Sequence, residues 1–324
     1  MNSQKTIHLI GIGGIGMSGL ARIYLSLGYA VQGSDLKMNE VLRGLEKAGA
    51  RVLMGHDASH VNGAGTVVYS TSISRDHPER LEAARKGARL LHRAEALAEI
   101  CEGKTTIAVT GTHGKTTTTA LIGMILKEAR RDPSIVVGGV VGAFGGNACL
   151  GGGSEIVIEA DESDSSFLKF SPAIEVITNI EADHMEHFET IGRVEDAYRD
   201  FLRRLPADAE WIGCAEDARV LRLARENIRP ARLYGLDPKN EFYATDIVEC
   251  PQNARAVAFK MWEKGRCLGP VRLNLLGVHN VLNALGAAAV GLKLGVSFSV
   301  IAAALGKYEG AGRRFGVQYE DGRF

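Results

Sequence analysis

From residue 4 to about residue 103, short apolar runs alternate with amphipathic stretches. Segments 6–10, 30–32, 52–54 and 66–69 read as strands, and several of the intervals between them read as helices. Strands that alternate with helices build a parallel sheet covered on both faces. Cys101-Glu-Gly-Lys104 reads as the linker into a second unit. That unit opens with the apolar run 106–109, which stops at Thr110 and feeds a glycine-bracketed turn and a helical run over 120–126. It continues as a second α/β layer structure to about Tyr308. Its 137–154 stretch is rich in glycine and reads as a mobile segment over a ligand. A helix over 280–294 is expected to stop near Gly295, with Ser299 capping the next one.

Composition narrows the function classes. Lysine plus arginine and aspartate plus glutamate both total 38, so no charge excess points to nucleic acid or an anionic membrane. A length of 324 residues suits two or more domains, each with its own core. The five cysteines (Cys101, Cys149, Cys214, Cys250, Cys267) lack metal-ligand spacing, and reduced thiols in a cytoplasmic protein are the plain reading. Lys5 followed by the apolar stretch 7–21 resembles a signal peptide, but its glycines suit a strand, turn and helix better. The apolar stretch 284–296 is interrupted by Lys293, and no segment reaches the roughly 18 residues of a membrane span.

The candidate chemistry starts at Thr110-Gly-Thr-His-Gly-Lys-Thr116. Glycines let a backbone fold back with its N–H groups inward, the lysine reaches the outer phosphates, and the threonine hydroxyl reaches magnesium. Gly111, Thr112, His113, Gly114, Lys115, Thr116 and Thr117 are the expected ATP contacts, and the helix behind them aims its positive end at the same anion. Gly111 precedes Gly114 by three residues, where the common loop spaces its glycines by about five. Glu159 ends the run 156–158, where a carboxylate next to the loop can hold magnesium; a local turn hydrogen bond is the plainer alternative. At the amino end Gly11, Gly13 and Gly16 make a G-x-G-x-x-G turn, and Asp35 follows the next strand. Alone, this pattern specifies a tight turn and a pyrophosphate and suggests NAD, but a UDP-sugar carries a pyrophosphate too.

Four segments in order resemble the Mur ligase family of ATP-dependent amide-forming enzymes of peptidoglycan synthesis. They are the short phosphate loop, Glu159-Ala-Asp-Glu-Ser-Asp164, Asn179-Ile-Glu-Ala-Asp-His184, and Gly277-Val-His-Asn-Val-Leu-Asn-Ala284 at the head of an Ala-rich helix. The resemblance spans nearly the whole chain. It implies an α/β protein with an N-terminal Rossmann-like parallel-sheet domain over 1–103 and a P-loop NTPase-like central domain over 104–310. Gly310-Ala-Gly-Arg-Arg-Phe315 resembles the hinge into the family's third domain, so 311–324 are expected to be that hinge and the stub of a C-terminal domain lacking here. The segment Gly11-Ile-Gly-Gly-Ile-Gly-Met-Ser-Gly-Leu-Ala21 resembles the branch that joins L-alanine to UDP-N-acetylmuramate.

Carried over by residue, the resemblance implies catalytic positions at Lys115, Glu159 and His184, with Mg2+ held by Thr116, Glu159 and His184. It implies adenine contacts at Asn280 and Asn283, against the alternative that Asn280 only caps its helix. Arg313, with Arg314, is expected to reach the ATP phosphates, against the alternative of plain surface arginines. UDP-N-acetylmuramate is expected on Gly11, Gly13, Gly14, Ile15 and Gly16, with Asp35, Ser70, Thr71 and Ser72 near the nucleoside. Several members steady a second metal with a carbamoylated lysine after the histidine; here no lysine falls between Lys169 and Lys239, and Arg193 and Arg199 occupy the region. The expected activity is cytoplasmic ligation of L-alanine through an acyl phosphate, with ATP and Mg2+ and without nucleic-acid or membrane partners. The shortened chain alone is expected to be inactive. Its rivals are a tripeptide-recycling ligase, a non-catalytic nucleotide-binding module and an NAD-dependent oxidoreductase.

Overall fold

The computed structural model describes residues 6–163, 165–183, 185–250 and 256–310. The first unit is a fully parallel sheet of β1 (Thr6–Ile10), β2 (Ala30–Asp35), β3 (Arg51–Met54), β4 (Thr66–Tyr69) and β5 (Arg89–His92), ordered β3-β2-β1-β4-β5. Helices α1 (Ile15–Ser26), α2 (Glu40–Lys47) and α3 (Pro78–Arg85) lie in its connections, and α4 (Arg93–Cys101) leads out of it. β2 runs past the expected end at residue 32, because buried Ser34 finds a partner in Glu79 instead of solvent. Strand order reverses about β1, so the crevice outside the ends of β1 and β4 is where such a sheet takes its ligand.

The second unit is a mixed sheet ordered β15-β14-β13-β12-β11-β10-β6-β9-β7-β8. Its strands are β6 (Thr105–Thr110), β7 (Ser134–Val141), β8 (Gly146–Cys149), β9 (Glu155–Glu159), β10 (Ile174–Ile177), β11 (Glu210–Cys214), β12 (Ala231–Gly235), β13 (Phe242–Glu249), β14 (Val257–Glu263) and β15 (Arg266–Leu273). Pairing is parallel from β13 across to β7 and antiparallel at both edges. The helices are α5 (Lys115–Glu128), α6 (Met185–Phe188), α7 (Ile191–Arg204), α8 (Ala218–Arg225), α9 (Val278–Lys293) and α10 (Phe298–Lys307). α5 and α9 pack together beneath the sheet's core, and small residues on α9 let it approach closely: a Cβ on Gly286 would press on Tyr234, and one on Gly291 on Ile125.

Two expectations are corrected here. The 137–154 stretch is not a free segment: most of it belongs to the β7–β8 hairpin at the sheet edge. Gly138, Gly146, Gly151 and Gly153 lie in close packing while Gly142 and Gly145 meet open space in the turn, and Asn147 of β8 donates to Ile15 O and, at 3.1 Å, to Ser18 Oγ of α1, tying the two units together. The cap of α10 is Ser297 without a side-chain bond to the helix backbone, and Ser299 sits inside the first turn. Among the described residues no helix is long and apolar enough to cross a membrane.

Candidate active site

Because β10, β6 and β9 are neighbours, the segments after their carboxyl ends meet. Gly111 has φ +122° and Gly114 φ +84°. A Cβ on Gly111 would strike Thr178 and the Asn179 backbone, and one on Gly114 would strike Asn283, so only glycine fits either place. The loop between them is pinned from β10. His113 N–H donates to Asn179 Oδ1 at 2.8 Å, Thr112 N–H to Asn179 O at 3.1 Å, and Thr178 Oγ–H to His113 O at 2.7 Å. Glu181 N–H donates to Thr112 Oγ1 at 2.9 Å.

Lys115 opens α5, with Thr116 and Thr117 in the same turn. Its ammonium donates to Gly111 O at 2.6 Å and to both oxygens of Glu162 at 2.9 Å. Burial pushes the Glu162 carboxyl up, against the pull of Lys115. Glu162 thus occupies the anion's side of the lysine, a role the sequence reading missed. It stands within a quoted motif, but nothing local marks it as the lysine's partner. Thr116 Oγ–H donates to Glu159 Oε1 at 3.1 Å and Gly138 N–H to Glu159 Oε2 at 2.6 Å. The Thr116 hydroxyl and Glu159 carboxylate make an oxygen donor set, which is the chemistry magnesium prefers.

The glycine loop after β1 is braced by Asp35, whose Oδ2 accepts from Gly13 N–H and Oδ1 from Leu36 N–H, both at 2.8 Å. Among the described residues no side chain caps α1 behind Gly14, so its first-turn amides keep their donors free. Gly16 is small because Arg93 lies against it. Ser70 and Ser72 share a 2.8 Å hydrogen bond, and Thr71 Oγ1 lies 3.0 Å from His92 Nε2. One cavity of about 480 Å³ is lined by Gly11, Gly14, Ile15, Gly16, Ser70 and Ser72 from the first unit and by Lys115, Gly138 and Glu159 from the second. Arg93, the first residue of α4, also lines it, 3.8 Å from Asp161. Its position directly after a strand of the first sheet was the available signal. A neighbouring cavity of about 520 Å³ shares Ser70 and adds Tyr69, Thr71, Arg80 and Lys169.

Other expected residues lie apart from this cavity. Asn283 accepts from Thr118 Oγ–H at 3.3 Å and donates to Asn280 Oδ1 at 3.2 Å, while Asn280 donates to Leu276 O at 2.8 Å. The pair latches α9 to α5, and the cap of α9 is Gly277, not Asn280. Arg193 pairs with Glu189, and Arg199 with Glu226 and Asp196. His184, Arg313, Arg314 and the 311–324 hinge and stub lie outside the described residues.

Behind the loop, Thr110 Oγ–H donates to Glu175 Oε1, and Glu175 Oε2 is buried without a partner among the described residues. Burial holds this carboxyl well above its ordinary 4.5, opposed by the Thr110 hydrogen bond. The unfolded chain ionises near 4.5, so above that pH folding must take up a proton. This group's stability term is therefore full below that value and falls as pH rises toward the folded pKa, by up to about 1.4 kcal/mol per pH unit. Glu175→Gln cannot ionise and keeps an acceptor for Thr110. Thermal melts are expected to show the variant gaining on the parent between pH 5 and pH 8; a constant difference would mean that Glu175 is ionised in the fold.

A glycine-loop unit and a Gly-Lys-Thr-loop unit that share one cavity make a two-unit α/β protein with a common ligand crevice. The catalytic-domain profile of the Mur ligase family matches residues 6–105 and the Mur ligase middle-domain profile matches 109–291, and the chain belongs to the Mur ligase family. It is 44% identical over 314 residues to the UDP-N-acetylmuramate–L-alanine ligase of Solidesulfovibrio magneticus, covering 97% of this chain and 68% of that protein. It is 46% identical to that of Burkholderia cenocepacia, covering 96% and 66%. The chain therefore spans about two-thirds of the length of these curated relatives. The crystal structure of UDP-N-acetylmuramate-alanine ligase from Thermotoga maritima superposes with a TM-score of 0.86 at 30% identity, covering 98% of this chain and 71% of that one. The UDP-N-acetylmuramate:L-alanyl-gamma-D-glutamyl-meso-diaminopimelate ligase of Neisseria meningitides also gives 0.86, at 27% identity and 95% and 99% coverage.

Proposed function

We propose that this chain carries the two nucleotide sites of a ligase that joins L-alanine to UDP-N-acetylmuramate through an acyl phosphate. The observation that carries the reading is the single cavity shared by the glycine loop, Lys115 and Glu159. A UDP-sugar seated by its pyrophosphate on the glycine loop would extend its sugar acid toward the outer phosphate of ATP. The relatives at 44% and 46% identity that bear the alanine ligase's name favour alanine over tripeptide as the amine.

A carboxylate repels an incoming amine; transfer of the γ-phosphoryl group onto it, with release of ADP, gives an acyl phosphate with a good leaving group. The amine then attacks the acyl carbon and phosphate departs. The protein's part is to position the reactants and neutralise charge. Lys115 exchanges its Glu162 contact for the γ-phosphate, and the loop amides hold the phosphates around it. Thr116 and Glu159 would hold magnesium, which supplies charge neutralisation on the phosphates when bound. Arg93 offers the sugar acid a guanidinium at the meeting point. His184 as a further metal ligand, Asn280 and Asn283 at adenine, and Arg313 at the phosphates belong to the same proposal.

Calorimetric titrations test it. UDP-N-acetylmuramate is expected to bind in preference to NAD. Asp35→Ala releases the Gly13 amide from its brace and is expected to weaken the UDP-sugar about tenfold or more, since hydrogen bonds to charged groups contribute roughly 1.5–3 kcal/mol. Mg-ATP affinity should not change. An NAD response with none to the UDP-sugar would reverse the assignment.

A further inference from the structure

Three histidines converge on one buried carboxylate in the first unit and a fourth stands beside them, behind the glycine loop, whose Gly11 and Ile12 amides donate to Ser34 O. The Glu79 side chain, in the first turn of α3, is 0% exposed. Its Oε2 accepts from Ser34 Oγ–H at 2.7 Å and lies 2.6 Å from His8 Nε2. Its Oε1 lies 2.9 Å from His56 Nδ1 and 3.7 Å from His60 Nδ1. The His77 ring stands edge-on to that of His56, with centroids 4.6 Å apart. His77 caps α3 by accepting Glu79 N–H on Nδ1 at 3.3 Å, which leaves its Nε2 buried with no hydrogen-bond partner among the described residues. Donor atoms of His56, His77 and Glu79 all lie within 4.8 Å of one another.

Capping alone does not account for this group, because an N-cap needs only one acceptor and asparagine supplies it as well. Two imidazoles and a carboxylate, one nitrogen of them buried and unsatisfied, match the donor set of a zinc-like ion. Bonds of about 2.0–2.1 Å in tetrahedral geometry put neighbouring ligand atoms about 3.3 Å apart, so the hydrogen-bonded His56–Glu79 pair at 2.9 Å opens slightly and the third donor, within 4.8 Å, closes in. Magnesium and calcium favour all-oxygen sites and fit poorly here. Binding needs neutral imidazole and ionised carboxylate, and an ion on His77 Nε2 moves the ring proton to Nδ1, so it displaces the cap bond from Glu79 N–H. His8 and Ser34 would orient the carboxylate as outer partners.

We propose that His56, His77 and Glu79 form a site for a zinc-like divalent transition-metal ion, separate from the magnesium and ATP chemistry, that fastens the loop after β3 to the start of α3. His60 is near enough to supply a fourth donor. The site does not depend on the ligase reading.

The test is zinc binding to the metal-free full chain in excess magnesium, with cobalt(II) as a spectroscopic probe. One zinc per chain retained through gel filtration is expected, with a raised Tm. The cobalt form should show tetrahedral d–d absorption without a thiolate charge-transfer band. His77→Asn keeps the cap while removing Nε2. It is expected to weaken zinc on the order of 100-fold, the upper end of what outer-partner losses cost, with metal-free Tm and Mg-ATP affinity unchanged. His56→Gln provides an independent check with the same expected loss. No zinc retained by the parent, parent-like affinity in both variants, or a thiolate band in the cobalt spectrum would each overturn the site.

Discussion

Lys115→Ala is expected to weaken Mg-ATP binding by about 10²–10³-fold, to the edge of detection in a calorimetric titration. The ammonium is held at the mouth of the loop by Gly111 O and Glu162, with a side chain only 13% exposed, so an arriving phosphate meets a preset charge. Each lost charge-assisted hydrogen bond is worth roughly 1.5–3 kcal/mol, and a phosphate takes more than one. The substitution also leaves Glu162 buried beside the site without its cation, where its raised carboxyl can protonate instead of unfolding the loop. A folded variant with reduced affinity is the outcome expected, and UDP-N-acetylmuramate should bind it as it binds the parent. Unchanged ATP affinity would remove the phosphate-loop assignment.

Gly111→Ala should cost both stability and ATP. At φ +122° a side chain carries strain of roughly 1–3 kcal/mol, and here the added carbon also lies 2.8 Å from Asn179 O and 2.9 Å from Asn179 N. The Asn179 segment must then move, and with it the bonds that aim the His113 and Thr112 amides. A fall in Tm of about 5–10 °C is expected for a chain of this size. Loss of ATP affinity should accompany it. Gly49→Ala is the control: its φ is +103°, but a Cβ there meets nothing within 4 Å, so it reports strain without collision. Equal effects from the two substitutions would show that the fit against Asn179 is unimportant.

What the sequence made legible is local. The phosphate loop, the acid at the end of β9 and the segment after β10 each announce themselves within a few residues, because strand ends, glycine turns and helix starts have short-range causes. Strand order then brings those ends together, and that order was visible only as a family resemblance. Features that depend on long-range contact were not legible. Glu162 meets Lys115 across 47 positions of chain. Arg93 matters through the cavity it enters, and Asn147 through the helix it ties down in the other unit. The glycines of 137–154 looked like freedom of movement because sequence counts them without showing the Glu159 and Arg22 side chains packed against Gly138 and Gly146. Asp35 carried the expected residue type, and the structure adds the bond to Gly13 that explains why an acid stands there.

The central claim is that both nucleotides meet in the cavity between the glycine loop and Lys115. A crystal structure of the chain with UDP-N-acetylmuramate, magnesium and a non-hydrolysable ATP analogue measures it directly. The account predicts the pyrophosphate on the Gly11–Gly16 amides, the γ-phosphate at Lys115 and Thr116, and the sugar carboxylate about 3–3.5 Å from that phosphorus, as a near-attack geometry requires. A UDP-sugar bound away from the glycine loop, or a γ-phosphate that leaves the Lys115–Glu162 pair intact, would contradict it.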